Sequence, residues 1–164
     1  MSFINTEFLA SGNNAGSYFK PVKGTANKVR ILSDKPLHGF VQWTEDNRPM
    51  RWSYGMNKPE AVYQEGTRPR KFLACAVWNY ATESVQLWEI TQSSVINSLD
   101  DITRDADYGH PNRYDLKISR TGEGLETQYR LIPHPANMSE EVEAAMQNPG
   151  VNLEALLNGE DPFA

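Results

Sequence analysis

Two apolar runs dominate the middle of the chain: Lys71-Phe72-Leu73-Ala74-Cys75-Ala76-Val77-Trp78-Asn79 and Val85-Gln86-Leu87-Trp88-Glu89-Ile90-Thr91. Both are rich in β-branched and aromatic residues. The link Ala81-Thr82-Glu83-Ser84 has an ordinary hairpin length, so the pattern predicts paired strands over 70–80 and 85–91. A hairpin this apolar is not stable alone, and the remaining chain must supply elements that cover it.

The flanking sequence reads as further strands over 28–33, 39–44 and 51–54, with a Gly- and Pro-containing connection through Arg68-Pro69. Residues 11–16 (Ser-Gly-Asn-Asn-Ala-Gly) read as a flexible loop. After Thr91 the period changes. Val95, Ile96, Leu99 and Ile102 follow helical spacing, with Ser93 or Ser94 available as a cap. Strands over 114–120 and 126–132 follow, joined by the glycine turn Thr121-Gly122-Glu123-Gly124-Leu125 and stopped by Pro133 and Pro135. Ser139 ahead of Glu140, Glu141 and Val142 starts a short exposed helix over 139–147. The expected fold is mainly β: an OB-type Greek-key barrel with one inserted helix, a short C-terminal helix and a flexible acidic tail. By pattern alone a β-sandwich fits nearly as well.

A length of 164 residues suits one domain. The division expected is a body over 1–138 and an acidic segment over 139–164. Residues 1–10 lack the basic and apolar regions of a leader, and no window approaches the roughly 20 apolar residues of a membrane span. A soluble, cytoplasmic protein is expected, in the host cytoplasm if phage-encoded. The single cysteine, Cys75, permits no internal disulfide and reads as a small core residue.

Charge is unevenly placed. The segment from Ser139 onward holds Glu140, Glu141, Glu143, Glu154, Glu160 and Asp161 with no Lys or Arg, so a net charge of −5 hides a body near +1. Within residues 17–72, eleven Lys and Arg oppose five carboxylates, whereas over 83–108 Arg104 alone opposes six. One side of the body should attract phosphate and another repel it.

The stretch Trp43-Thr44-Glu45-Asp46-Asn47-Arg48-Pro49-Met50-Arg51-Trp52-Ser53-Tyr54 sets three aromatics and two arginines on a predicted hairpin. Single-stranded nucleic acid needs that mixture: cations follow the phosphates, and flat side chains stack on bases at about 1–3 kcal/mol each. The candidate stacking residues are Trp43, Trp52, Tyr54, Trp78 and Tyr80. The candidate phosphate ligands are Arg48, Arg51, Lys58, Arg68, Arg70, Lys71, Lys117 and Arg120. Trp88, between Leu87 and Glu89-Ile90, reads as core. On the strand over 70–80, Phe72, Ala74, Ala76, Trp78 and Tyr80 share one face and Leu73, Cys75 and Val77 the other; one is expected to be core and the other groove.

Signals for catalysis are weak. His38, His110 and His134 are scattered, no nucleophile motif surrounds a serine, and Asp100, Asp101, Asp105 and Asp107 lack calcium-loop order. A non-enzyme without cofactor or metal is expected. An RNA-binding β-barrel module and a phage structural or assembly protein are the alternatives.

The two central runs, with Tyr114-Asp115-Leu116-Lys117-Ile118-Ser119-Arg120-Thr121-Gly122 and Thr127-Gln128-Tyr129-Arg130-Leu131-Ile132-Pro133, resemble the phage-type single-stranded DNA-binding (helix-destabilising) proteins of the OB fold. The resemblance covers the middle and C-terminal half of the body and the acidic terminus. It implies DNA held in the barrel groove during replication, recombination or repair, and a terminus that contacts replication or recombination proteins. Glu160, Asp161, Pro162 and Phe163 are the expected contact residues. The zinc of one sub-branch is not carried over, because its Cys and His ligands are missing.

Overall fold

The computed structural model describes Phe3 and residues 17–164. The predicted loop over 11–16, and the expectation about a leader in residues 1–10, lie outside the described residues. Seven strands form one antiparallel sheet: β1 (Ala26–Ile31), β2 (Leu37–Trp43), β3 (Pro49–Ser53), β4 (Arg70–Asn79), β5 (Ser84–Ile90), β6 (Asp115–Thr121) and β7 (Gln128–His134). Helix α1 (Ser93–Arg104) separates β5 from β6, and α2 (Glu140–Gln147) follows β7. The chain is mainly β, as its sequence predicts. Among the described residues no helix is long and apolar enough to cross a membrane.

The ten-residue β4 organises the sheet. One edge pairs along Leu73–Asn79 with β5, while the other is shared by β2, at Arg70 to Ala74, and β1, at Val77 to Asn79. Strand β6 joins β1, and β7 joins β6. The sheet is not closed, because β5 and β7 do not pair. Helix α1 instead packs Val95 and Leu99 into the core, and Tyr129 and Leu131 of β7 close on the same cluster. Burial of side chains thus shuts the side that strand pairing leaves open.

Both faces of β4 are buried, where one was expected to be a groove. On the inner face Cys75 and Val77 pack with Val29, Ile31, Trp88 and Ile90. Burial pushes the Cys75 thiol up to about 12, which disfavours its reactive thiolate, and it packs as a core residue. On the outer face Phe72, Ala74 and Ala76 are covered by the C-terminal segment: Val142 sits with Leu32 and Ala76, and Leu156 with Val41, Phe72 and Leu87. Burying each such side chain contributes about 1.5–3 kcal/mol.

That cover corrects the expectation of a flexible tail behind an exposed helix. Val142 of α2 is fully buried, and a 3-10 turn over Leu153–Asn158 buries Ala155 and Leu156. Gly159, at φ 70°, reverses the chain there, and the Asn152 amide donates to the Pro162 carbonyl at 2.8 Å. Leu153, Leu156 and Leu157 share a helical stripe that charge counting overlooks.

Two boundaries differ from expectation for local reasons. Strand β7 continues through Pro133 to His134, since β7 pairs on one side only and an edge proline costs no ladder bond. Helix α1 begins after Gln92 with no side-chain cap, so neither Ser93 nor Ser94 has that role.

Gly39 is required by packing. A Cβ there would lie 2.6 Å from the Phe72 ring and 2.7 Å from the Trp52 carbonyl oxygen. Gly39→Ala is expected to lower stability by about 1–3 kcal/mol, seen as an earlier urea midpoint; an unchanged midpoint would mean that Phe72 yields without cost.

A buried polar network anchors β1 to β6. Arg30 Nε donates to Asp115 Oδ1 at 2.7 Å, and its other nitrogens donate to the carbonyls of Asn112 (3.2 Å) and Ala136 (2.8 Å). The Tyr80 hydroxyl donates to the same Asp115 oxygen at 2.7 Å. Arg30 is therefore committed to the fold, and losing either partner would strand a buried charge.

Candidate nucleic-acid interface

The hairpin β2–β3 builds the aromatic site. Its register opposes Phe40 to Trp52 and Gln42 to Met50, and β4 sets Lys71 beside Phe40. Alternation along each strand brings His38, Phe40, Trp52 and Tyr54 to one face. The Phe40 and Trp52 rings stack with centroids 5.7 Å apart at 25°, and Phe40 and Tyr54 at 5.9 Å and 28°. Trp52 is 7% accessible and roots the ladder, while Tyr54, at 66%, is its open end. Phe40 is the member that sequence reading missed. Its signal was the pairing that a hairpin turning at Glu45 to Asn47 imposes.

Trp43 faces the other way, with Val41 and Arg51. It is 45% exposed and lines a depression of about 300 Å³ with Tyr18, Lys20, Arg70 and Glu89. A neighbouring cavity of about 230 Å³ shares Phe19, Lys20 and Glu89 and adds Arg120 and Tyr129. Trp43, Arg70, Lys20 and Arg120 thus follow one surface. Arg70 and Lys71, consecutive on β4, place one cation on each side of the sheet.

The other candidate cations divide by what already holds them. Arg51 makes a two-pronged bond to Glu89 at 3.1 and 3.0 Å, both side chains being half-buried, so its charge is largely spent. Arg48 pairs with Asp46 at 3.3 Å in full solvent, which holds it weakly. Lys58 lies 4.1 Å over the Tyr63 ring. Arg68, Arg70 and Lys71 are exposed and form no ion pair with a described carboxylate. Lys117 pairs with Lys28 across β1 and β6, away from the hairpin.

Trp78 and Tyr80 are not brought to the aromatic ladder. They are half-buried with Val85 under Val142, Ala145 and Met146 of the C-terminal cover. Burial, aided by the bond to Asp115, pushes the Tyr80 hydroxyl up to about 12. Trp88 is core, edge-on to Phe19 at 5.5 Å.

The C-terminal carboxylates lie against the basic hairpin. Glu160 and Asp161 line a cavity of about 760 Å³ with Arg48, Arg51, Met50 and Tyr18. Pro162 is buried and Phe163 half-buried beside the Val41, Phe72 and Leu87 cluster.

The remaining chemistry is structural. His110 Nδ1 accepts from the Asn112 amide at 3.1 Å, which leaves the proton on Nε2 to be donated to the Asp34 carbonyl at 2.7 Å. No group of three or more His, Cys, Asp or Glu suited to a metal ion occurs among the described residues. Comparison of the chain with protein-family models, with curated proteins and with solved structures finds no match.

Proposed function

We propose that this protein binds single-stranded DNA through the β2–β3 hairpin, largely independent of sequence, and coats strands exposed in replication, recombination or repair. The observation that carries the reading is the stacked row Phe40, Trp52 and Tyr54, open at Tyr54 and flanked by Lys71. The exposed ring at the end of the row, beside Lys71, offers a base a stacking surface and its phosphate a counter-charge. Bases stack on the row, while Lys71 beside it and the exposed Arg68 meet the phosphates. Binding only the unpaired form pulls melting forward by mass action. The order of strands, with a helix before the last hairpin, supports an OB-type relation, with α1 standing in for the missing closure.

The acidic terminus is the proposed contact for replication or recombination proteins. Because Phe163 and Pro162 pack on their own domain, recruitment requires their release. The same movement withdraws Glu160 and Asp161 from the cavity they share with Arg48, which links partner contact to DNA affinity.

Titration with oligothymidine, followed by tryptophan fluorescence, tests the reading. Quenching is expected because Trp52 stands in the stacked row itself. The affinity should fall log-linearly with salt, at about 0.7 per phosphate neutralised on a log–log plot. No quenching, or an affinity indifferent to salt, would refute it. Tighter binding of oligouridine than of oligodeoxyuridine would reassign the module to RNA, since those two differ only in the 2′-hydroxyl.

A further inference from the structure

The aromatic face of β2 does not end at Phe40. His38 lies two residues earlier on the same face, its carbonyl accepts from the Tyr54 amide at 3.0 Å, and its register partner is Leu73. His38 and Leu73 both line a cavity of about 650 Å³ between α1 and the start of β2. That volume lies within the range of small-ligand pockets. Successive same-face residues of a strand stand about 6.6 Å apart, so a strand stacked on Tyr54 and Phe40 reaches the cavity mouth about one nucleotide later.

The lining states what fits. Ile31, Leu73, Ile96 and Leu99 give apolar walls, while Asp34, Asn97, Asp100 and His38 supply polar groups. No Lys or Arg lines the cavity, so a phosphate would meet two carboxylates, with Arg104 already paired to one of them. Asp100 already accepts from Arg104 at 2.9 Å, and Asp34 is an exposed carboxylate 3.7 Å from His110 Nε2. A carboxylate has about four lone-pair sites, so both retain capacity for an N–H donor. The ligand called for is a flat, neutral group with apolar faces and amino hydrogens on its edge.

Resting on the single-stranded DNA reading, we infer that this cavity is a base-capture subsite that favours a nucleobase with an exocyclic amine. Its phosphate stays outside, toward Lys71. Cytosine presents such an amine, whereas thymine and uracil present a carbonyl oxygen at the same position and meet Asp34 acceptor to acceptor. Binding elsewhere on the row remains indifferent to base, and the subsite adds one chemically selective position.

The test compares fluorescein-labelled oligo-dC, oligo-dT and oligo-dU of equal length, by anisotropy at neutral pH and fixed salt, on the full chain. Wild-type protein should hold oligo-dC about tenfold more tightly than the other two, as one added hydrogen bond to a charged acceptor allows. Oligo-dU excludes the thymine methyl group as the cause. Asn97→Trp, at an exposed position of α1, should fill the cavity and bring oligo-dC down to the oligo-dT level with oligo-dT unchanged. Asp34→Ala, also exposed, should do the same by removing the acceptor. Equal affinities in the wild type, or a preference that survives both substitutions, would overturn the subsite while leaving the binding row standing. Failure of all three oligomers to bind would instead overturn the DNA reading, and the subsite with it.

Discussion

Tyr54→Ala should weaken oligothymidine binding by about ten- to a hundredfold, the equivalent of one lost base stack, with the urea midpoint unchanged. Tyr54 suits the test because it is exposed, its only ring contact among the described residues is Phe40, and it belongs to none of the core clusters. Trp52→Ala would be uninformative, because that ring is buried and its loss would disturb the hairpin itself. Trp43→Ala is the proper comparison, since Trp43 is exposed on the opposite face. If Tyr54→Ala binds normally and Trp43→Ala does not, the strand runs along the surface of Arg70, Lys20 and Arg120. If neither change matters, the aromatic row has no part in binding.

Removing everything after Pro149 is expected to destabilise the domain by about 4 kcal/mol or more, since burial of one leucine alone is worth about 2–5 kcal/mol to truncation. The cut removes Leu156 and uncovers Val41, Phe72, Ala74 and Leu87 on the outer face of the sheet. That is a large share of the 5–15 kcal/mol typical of a whole domain. Urea denaturation of the two chains measures it, and equal midpoints would mean that the segment only rests on the sheet. Glu160→Gln with Asp161→Asn separates charge from packing, because it leaves Leu156 and Phe163 seated. Tighter DNA binding in low salt is expected from that pair, because two negative charges beside the basic hairpin are removed.

Strand positions were legible because each run carries its own signal: β4 and β5 by apolar content, β6 and β7 by the glycine turn between them, and α1 by its change of period. What covers what was less legible. The alternation in β4 separates Phe72 and Ala74 from Leu73 and Cys75, but both sets are apolar, and nothing local says that a segment 80 residues later lies over one of them. The C-terminal segment was misjudged for a related reason. Its carboxylates outnumber its leucines, and net charge says nothing about a stripe at helical spacing. Of the proposed binding residues, Trp52 and Tyr54 followed from the hairpin alone. Trp78 and Tyr80 have the same residue chemistry, yet α2 takes them up, a tertiary event with no trace in their neighbours. Arg51 likewise looked like a phosphate ligand until Glu89, 38 positions away, proved to be its partner.

The double engagement of β4 sets a hierarchy of local opening. Its amides are bonded along one edge by β5 and along the other by β2 and β1 in succession, under side chains on both faces. Fraying of any single neighbour leaves most of that strand protected, so hydrogen exchange there proceeds through opening of the whole domain. Strand β7, paired on one edge and exposed at alternate residues, exchanges through local fluctuation. The hairpin β2–β3 lies between these extremes, hinged to the slowest strand through β2 and free along the outer edge of β3. The aromatic row is therefore carried by a strand pair with one free edge, rooted through β2 in the doubly paired β4.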